Sequence, residues 1–461
     1  MMRIGAALPG SIGKSGRDAL SYDYLADTSL ILRDEAGRPH PAIARSWQTT
    51  DRRTWTFTLR EGLRAQNGEA FTASRIRDLL LTRQALPSAR PFRENLDGID
   101  APTPTTLVFR LTRPSQALFE TLGVAHLAGD VGRPEWLAGP LRAVRDTPEE
   151  ISFEPWPYSW NGPPTVGGVT VRFFPTPRAA WAAFLRNDVD VFYDVPPEAL
   201  PLLAENQDVQ LVNVGWSYIY TLMFQQRHPL LRDVRVRRAL NLAIDREAIA
   251  RRLFGKFTAS ERGPFSPRYW AAAEAGSAWR YDPAAARALL RAATAGRKTP
   301  IELSCLTVDQ FPLSADMVSA LEAQLALVHV RLRIVTVPLE EFSRRLTAGD
   351  FELSSSPFLA AKGTSRASMF WRSQRQMFDS HYSAADAELD AHDAAGSDDE
   401  ERAAVRAVLD VMHRDPPAVF VMPIPSIRAV RRKWRVAASA PSFLRSLPYW
   451  TLAETPPCGP R

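Results

Sequence analysis

The feature that most constrains this chain is a repeated switch between two hydrophobic periods, two residues in one segment and about 3.6 in the next. The stretch "PTPRAAWAAFLRNDVDVFYDVPPEAL" shows it most compactly. Thr176 is placed to cap a helix whose first residue is Pro177, a position where the missing N–H costs nothing. Trp181, Phe184 and Leu185 supply its apolar side, Asn187 can end it, and Val189, Val191 and Tyr193 then alternate as a strand. The same grammar recurs. "TWTFTLREGL" alternates Trp55, Phe57 and Leu59. "NGEAFTASRIRDLLLTRQAL" turns at Asn67-Gly68, caps at Thr72 and spaces Ile76, Leu79, Leu80 and Arg83 as a helix. "TTLVFRLT", "IELSCLTV", "VRLRIVTV", "FELSSSPF" and "AVFVMPIPS" read as strands, and "DPAAARALLRAA", "ADMVSALEAQLALV" and "DEERAAVRAVLDVMHRD" as helices. Strands alternating with helices predict α/β sheets, more than one of them.

The clearest single element is "DVRVRRALNLAIDREAIARRLF", read as one long helix. Asp233 is its cap, and Val236, Ala239, Leu240, Ala243 and Ile244 lie along one face. At 461 residues the chain is long enough for two or three cores. No run approaches the ~20 apolar residues of a membrane span.

Several chemistries are disfavoured by spacing. "PGSIGKSG" (Pro9–Gly16) imitates a phosphate loop, but the first glycine of that motif should stand where Leu8 does, and Gly10 leaves the loop two residues short. Ser11 and Lys14 have the spacing of some acyl-enzymes, but Gly13 spoils the helix that spacing needs. The seven His form no helical metal-binding pair, and Cys305 and Cys458 fit no metal spacing. They could pair or stay thiols; the sequence leaves that open. The paired acids Asp188/Asp190 and Asp398–Glu401 read as a turn and a solvated helix start. Net charge is +6, and of 57 basic residues only five are Lys. The arginines are scattered, with one dense cluster at "RAVRRKWR" (Arg428–Arg435), so nucleic acid is not an expected partner. The expectation is no catalytic constellation, no metal and no cofactor.

Five ordered stretches resemble one family, the extracellular solute-binding proteins of family 5, which serve ABC importers of peptides, nickel and dipeptides. They are "LILRDEAGRPHPAIARSWQTTDRRTWTFTLREGLRAQNGEAFTASRIRDLL", "GPLRAVRDTPEEISFEPWPYSWNGPPTVGGVTVRFFPTPRAAWAAFLRNDVDVFYDVPPE", "HPLLRDVRVRRALNLAIDREAIARRLFGKFTASERGPFSP" and, more loosely, "YDPAAARALL" and "DPPAVFVMPIPS". Together they run from about residue 25 to 430. The resemblance implies an α/β, periplasmic-binding-protein-like fold of two hinged lobes with an extra inserted domain. Lobe I takes 1–42, 139–264 and 425–461, domain II is inserted at 43–138, and lobe III is 265–424. The crossings implied are Arg262–Pro267 and Met422–Ser426.

The implied function is capture of a small polar ligand by lobe closure, for delivery to the permease subunits of an ABC importer, by a monomer. A cytosolic solute sensor of the same fold is the rival reading. The ten residues "MMRIGAALPG" are too short for a secretory apolar core. An authentic N-terminus would therefore imply the cytoplasm and a lost leader the periplasm; the resemblance favours the second.

The resemblance also nominates ligand contacts. "PGSIGKSG" falls where the family's first strand enters the cleft, which makes Lys14, Ser15 and Arg17 rim candidates. Phe92, with Arg93 beside it, matches an aromatic of domain II, and Phe265 one just past the hinge. "FELSSSPFLAAKGTSRASMFW" sets Phe358 where peptide-binding members have a Trp, and Ala361 where they have the Asp that holds the ligand's amine. An ammonium buried without a counter-ion costs several kcal/mol, so free peptides are not the expected ligand. Lys362, Arg366, Trp371 and Arg372 complete the candidate wall, which would suit an acidic ligand. Trp216, Tyr218 and Tyr220 are expected in a core strand.

Overall fold

A computed structural model describes residues 1–7, 22, 25–26, 28–83, 95–115, 117–124, 136–215, 218–257, 259, 261, 263–272, 279–295, 299–309, 313–373, 377–436 and 443–452. The chain divides into two compact units, Met1–Val214 with Ser426–Arg461, and Gly215–Pro425.

The first unit holds a seven-stranded sheet. Its order is Val209–Asn213, Ile427–Arg431, Val191–Phe192, Met2–Ala7, Val169–Phe174, Glu150–Pro155 and Leu141–Asp146. Met2–Ala7 runs parallel to both Val169–Phe174 and Val191–Phe192, while the outer pairings are antiparallel. The helix Pro177–Leu185 connects the two parallel neighbours, the crossover such strands require. It starts as the sequence says, with the Thr176 hydroxyl accepting from the Ala179 amide at 3.1 Å. It ends at Asn187, whose φ of 63° is the left-handed conformation Asn tolerates. Its buried face differs from the expected one. Ala180, Ala183 and Phe184 are buried, whereas Leu185 is exposed, because nine residues leave Leu185 about 100° off the packed stripe.

A separate antiparallel sheet of four strands, Ala44–Gln48, Thr54–Leu59, Thr106–Leu111 and Leu96–Thr103, belongs to the same unit. Trp55, Phe57 and Leu59 are its buried row. Helix Ala73–Arg83 contributes Ile76, Leu79 and Leu80 to the core of this unit.

The second unit is built on a five-stranded sheet ordered Val330–Val337, Ile301–Val308, Leu353–Leu359, Tyr218–Phe224 and Ala418–Ile424. Tyr218–Phe224 is paired along its length with Leu353–Leu359 on one side and with Ala418–Ile424 on the other. This strand corrects the expected lobe boundaries. Residues 215–264 were assigned to lobe I, but their strand lies inside the second unit's sheet. The chain therefore changes unit at Val214/Gly215 and Pro425/Ser426. The described part of the expected crossing Arg262–Pro267, residues 263–267, falls inside the second unit, where Phe265 bridges to Ala361. Pairing partners remote in sequence set the boundary, and no local pattern encodes them.

The expected long helix is two helices, Val234–Leu242 and Arg246–Phe254. Asp245 caps the second by accepting from the Ala248 amide at 2.9 Å, a local bond that competes with helix continuation. The apolar positions Val236, Ala239, Leu240, Ala243 and Ile244 are all buried as expected. Of the three aromatics expected in a core strand, Tyr220 is buried but Tyr218 is exposed, and Trp216 lies outside the described residues. Tyr220 shares a hydrogen bond with Ser355, and burial pushes its pKa up to about 12. Cys305 is a free buried thiol, pushed up to about 12 by burial; Cys458 lies outside the described residues. Among the described residues no helix is long and apolar enough to cross a membrane.

Candidate functional site

In open α/β sheets the carboxyl ends of parallel strands are where ligands are met. In the first unit the end of Val191–Phe192 leads directly into Tyr193, Asp194 and Val195. Two backbone bonds fix this corner: Tyr193 N–H donates to the Gly5 carbonyl at 2.9 Å, and Val195 N–H to that of Ile427 at 3.3 Å. The antiparallel strand Ile427–Arg431 thereby brings Arg428 alongside. Its guanidinium carbon lies 3.6 Å from the centroid of the Tyr193 ring, close enough for a cation–π contact. Its Nη1 reaches Asp194 Oδ1 at 3.5 Å and the Ile427 carbonyl at 3.3 Å. Arg428 is largely buried, while the Asp194 side chain is half-exposed.

Beneath this corner sits another acid. Asp190 accepts from the Arg3 backbone N–H at 2.9 Å and pairs with Arg3 at 3.2 Å and Lys433 at 2.6 Å. Burial alone would raise its pKa; the bonds from Lys433 and Arg3 outweigh that and hold it below the ordinary value. Asp188/Asp190 is read from the sequence as a turn; in the fold Asp190 is also buried and doubly paired.

The second unit holds the other nominated residues. Ser266 N–H donates to the Ala361 carbonyl and Ala361 N–H to that of Pro264, both at 2.8 Å. This short bridge brings Phe265 and Phe358 into one apolar cluster with Trp371. Phe265 stacks on Tyr269 with centroids 5.7 Å apart, Phe358 packs on Phe378 at 5.2 Å, and Trp371 meets Phe420 edge-on at 5.2 Å. All three are buried, Phe265 completely. They form core here and present no ring face to solvent. Tyr269 donates to Glu401 in the same region. Glu401 is therefore buried and partnered, which corrects the reading of Asp398–Glu401 as wholly solvated.

Arg372 follows the helix Thr364–Trp371 and pairs with Asp390 and, at 3.7 Å, with Asp393. Asp393 also accepts from the Ser368 hydroxyl at 2.9 Å. Two carboxylates meet this cation, so it does not stand as an open anion receptor. Arg366 belongs to the same helix, but its side chain is not described. Arg17 and Phe92, with Lys14, Ser15 and Arg93, lie outside the described residues. Among the described residues no group of three or more His, Cys, Asp or Glu could hold a metal ion.

Tyr193, Asp194 and Arg428 were missed in the sequence. Two weak signals were present: Tyr193 ends an alternating run, and Arg428 opens the dense basic cluster. Their meeting across 234 positions depends on a strand pairing that neither segment announces.

The profile of the bacterial extracellular solute-binding proteins, family 5 (middle region), matches residues 38–376, well over half of the chain. The chain belongs to this family. It is 22% identical over 352 residues to the dipeptide-binding protein of Escherichia coli K12, covering 68% of this chain and 66% of that one. It is 27% identical over 313 residues to the glutathione-binding protein GsiB of Salmonella typhimurium, covering 62% and 58% respectively. The matched stretch thus spans less than two thirds of each of these relatives. Among solved structures, NikA from Brucella suis in complex with Fe(III)-EDTA superposes with a TM-score of 0.85 at 16% identity, covering 98% of this chain and 100% of that one. DppA from Helicobacter pylori, in complex with the peptide STSA, gives 0.78 at 16% identity and 98% coverage of both. The fold is that of the family 5 binding proteins.

Proposed function

We propose that this protein is the solute-binding component of an ABC importer. It captures a small polar ligand of the oligopeptide-like, opine-like or metal-chelate class by closure of its two lobes and delivers it to permease subunits. It acts in the periplasm as a monomer and catalyses no reaction. The observation that carries this reading is the family match across residues 38–376. Relatives named for dipeptides and glutathione, and a fold shared with a chelate-binding and a peptide-binding protein, support the ligand range. Within that range, Ala361 at the amine-anchoring position argues against an unmodified free peptide. Arg17, Phe92 and Arg366 remain candidates for touching the ligand.

The test is native mass spectrometry of the purified protein, followed by calorimetry with whatever small molecule is released. A stoichiometric ligand that rebinds at micromolar Kd, about −8 kcal/mol, supports the proposal. A protein that carries nothing and is stabilised by no peptide, opine or chelate refutes it. Micromolar binding of plain di- to pentapeptides would overturn the narrower claim about Ala361.

A further inference from the structure

Arg428 is only 8% exposed, and its donors are not used up. Both of its polar contacts, to Asp194 Oδ1 and the Ile427 carbonyl, fall on Nη1. Its Nε is shielded from water and has no acceptor among the described residues. Nη2 makes no hydrogen bond to a described residue and is not shielded from water, so it is open to an incoming acceptor. The buried Nε without an acceptor carries a standing desolvation cost that an acceptor placed on this side would relieve. The contact with the Tyr193 ring restrains the guanidinium, so little rotamer freedom is lost when the remaining donors are used. Among the described residues Asp194 is the only carboxylate on this cation, and its side chain is half-exposed, so it can swing away or share the charge.

We propose that Arg428 is the specificity-determining residue of the first unit and that it selects a ligand bearing a carboxylate. The carboxylate docks on the Nη2 side of the guanidinium, beside Tyr193, and competes with Asp194 for the same positive charge. The inference rests on the solute-binding reading above and adds the ligand's charge and the residue that reads it. Arg-to-carboxylate bonds are charge-assisted and directional, so an amide in place of the acid loses both the charge and one acceptor. Asp194 sets the threshold: a neutral or cationic group gains nothing by displacing it.

The experiment measures thermal shift and calorimetric affinity for paired probes. Each pair is a small carboxylate (N-acetylated amino acids and tripeptides, N-carboxyalkyl amino acids, di- and tricarboxylates) and its carboxamide. In the wild type the acid of the best pair should bind at least tenfold tighter than its amide. Arg428→Gln should erase that preference, and Arg428→Lys should keep part of it. Asp194→Asn should tighten the acid several-fold, because the internal competitor is gone. A merely structural Arg428–Asp194 pair predicts the opposite for Asp194→Asn, lower stability with no gain in affinity. If acids and amides bind the wild type equally, or if Arg428→Gln retains the preference, the carboxylate inference is wrong while solute binding stands. If no probe of either kind binds, the inference is rejected and the solute-binding reading is left without support from this panel.

Discussion

Two arginines, one in each unit, sit in settings that look alike in sequence and differ in what they can do. Arg372 closes a helix and is held by Asp390 and Asp393, with Asp393 itself tied to Ser368. Arg428 is the second residue of a strand, lies over the Tyr193 ring and, among the described residues, meets a single half-exposed acid. Both are mostly buried. Each keeps one buried nitrogen without a hydrogen-bond acceptor among the described residues, Nη1 of Arg372 and Nε of Arg428. They differ in charge balance: two carboxylates face Arg372 and one faces Arg428. Proximity of an arginine to aromatic rings therefore does not mark a receptor.

The aromatic neighbours differ in the same sense. Phe265, Phe358 and Trp371 spend their rings on one another and on Tyr269, Phe378 and Phe420. The Tyr193 ring is only partly buried and has one face covered by a cation.

The largest expected effect that could break this contrast is on Phe265. Cutting a fully buried ring to Ala costs about 3–5 kcal/mol, so Phe265→Ala should lower the melting temperature of the second unit sharply. The protein that remains folded should bind ligand normally. Calorimetry showing unchanged stability with lost affinity would instead place Phe265 on the ligand.

Arg372→Gln comes next. It leaves Asp393 buried without its cation, for a loss of about 1–3 kcal/mol, again with ligand affinity unchanged. A tenfold affinity loss from this variant, matching that of Arg428→Gln, would erase the distinction between the two arginines.

The first unit offers a pH test of comparable or smaller size. Asp190 has a folded pKa below its unfolded one, so its ionised form is favoured by folding. Its contribution is present in full above the unfolded value, roughly pH 4, and is lost as pH falls through the folded pKa. Melting curves from pH 7 down to 3 should show wild-type stability falling below pH 4. Asp190→Asn should be less stable at pH 7 and show less of that fall. A variant with the same pH slope as the wild type would remove Asp190 from the account.

The smallest effect separates the two units. Thr176→Ala removes a single helix cap, worth about 1 kcal/mol, and should shift only the calorimetric transition of the first unit. A shift of the same transition by Phe265→Ala would mean that the units melt together.

Much of the fold was legible because it is written in short-range chemistry. Thr176 and Pro177 begin a helix and Asn187 ends it whatever the rest of the chain does. Trp55, Phe57 and Leu59 alternate because one face of their strand is buried. The same reading failed where two local signals conflict, as at Asp245, whose capping oxygen interrupts a run that is helical by period. It failed again at residues 215–264, because sheet membership is a choice among remote partners.

By itself the sequence determined the α/β class, the positions of most strands and helices, the family and the absence of any local catalytic or metal motif. Tertiary structure alone decided which rings became core, which arginine had its charge cancelled and which strand joined which unit. Burial and pairing are properties of the assembled neighbourhood. Nothing within a few residues of Arg428 reveals that a strand ending at Phe192 will set a tyrosine under its guanidinium and a single aspartate at its edge.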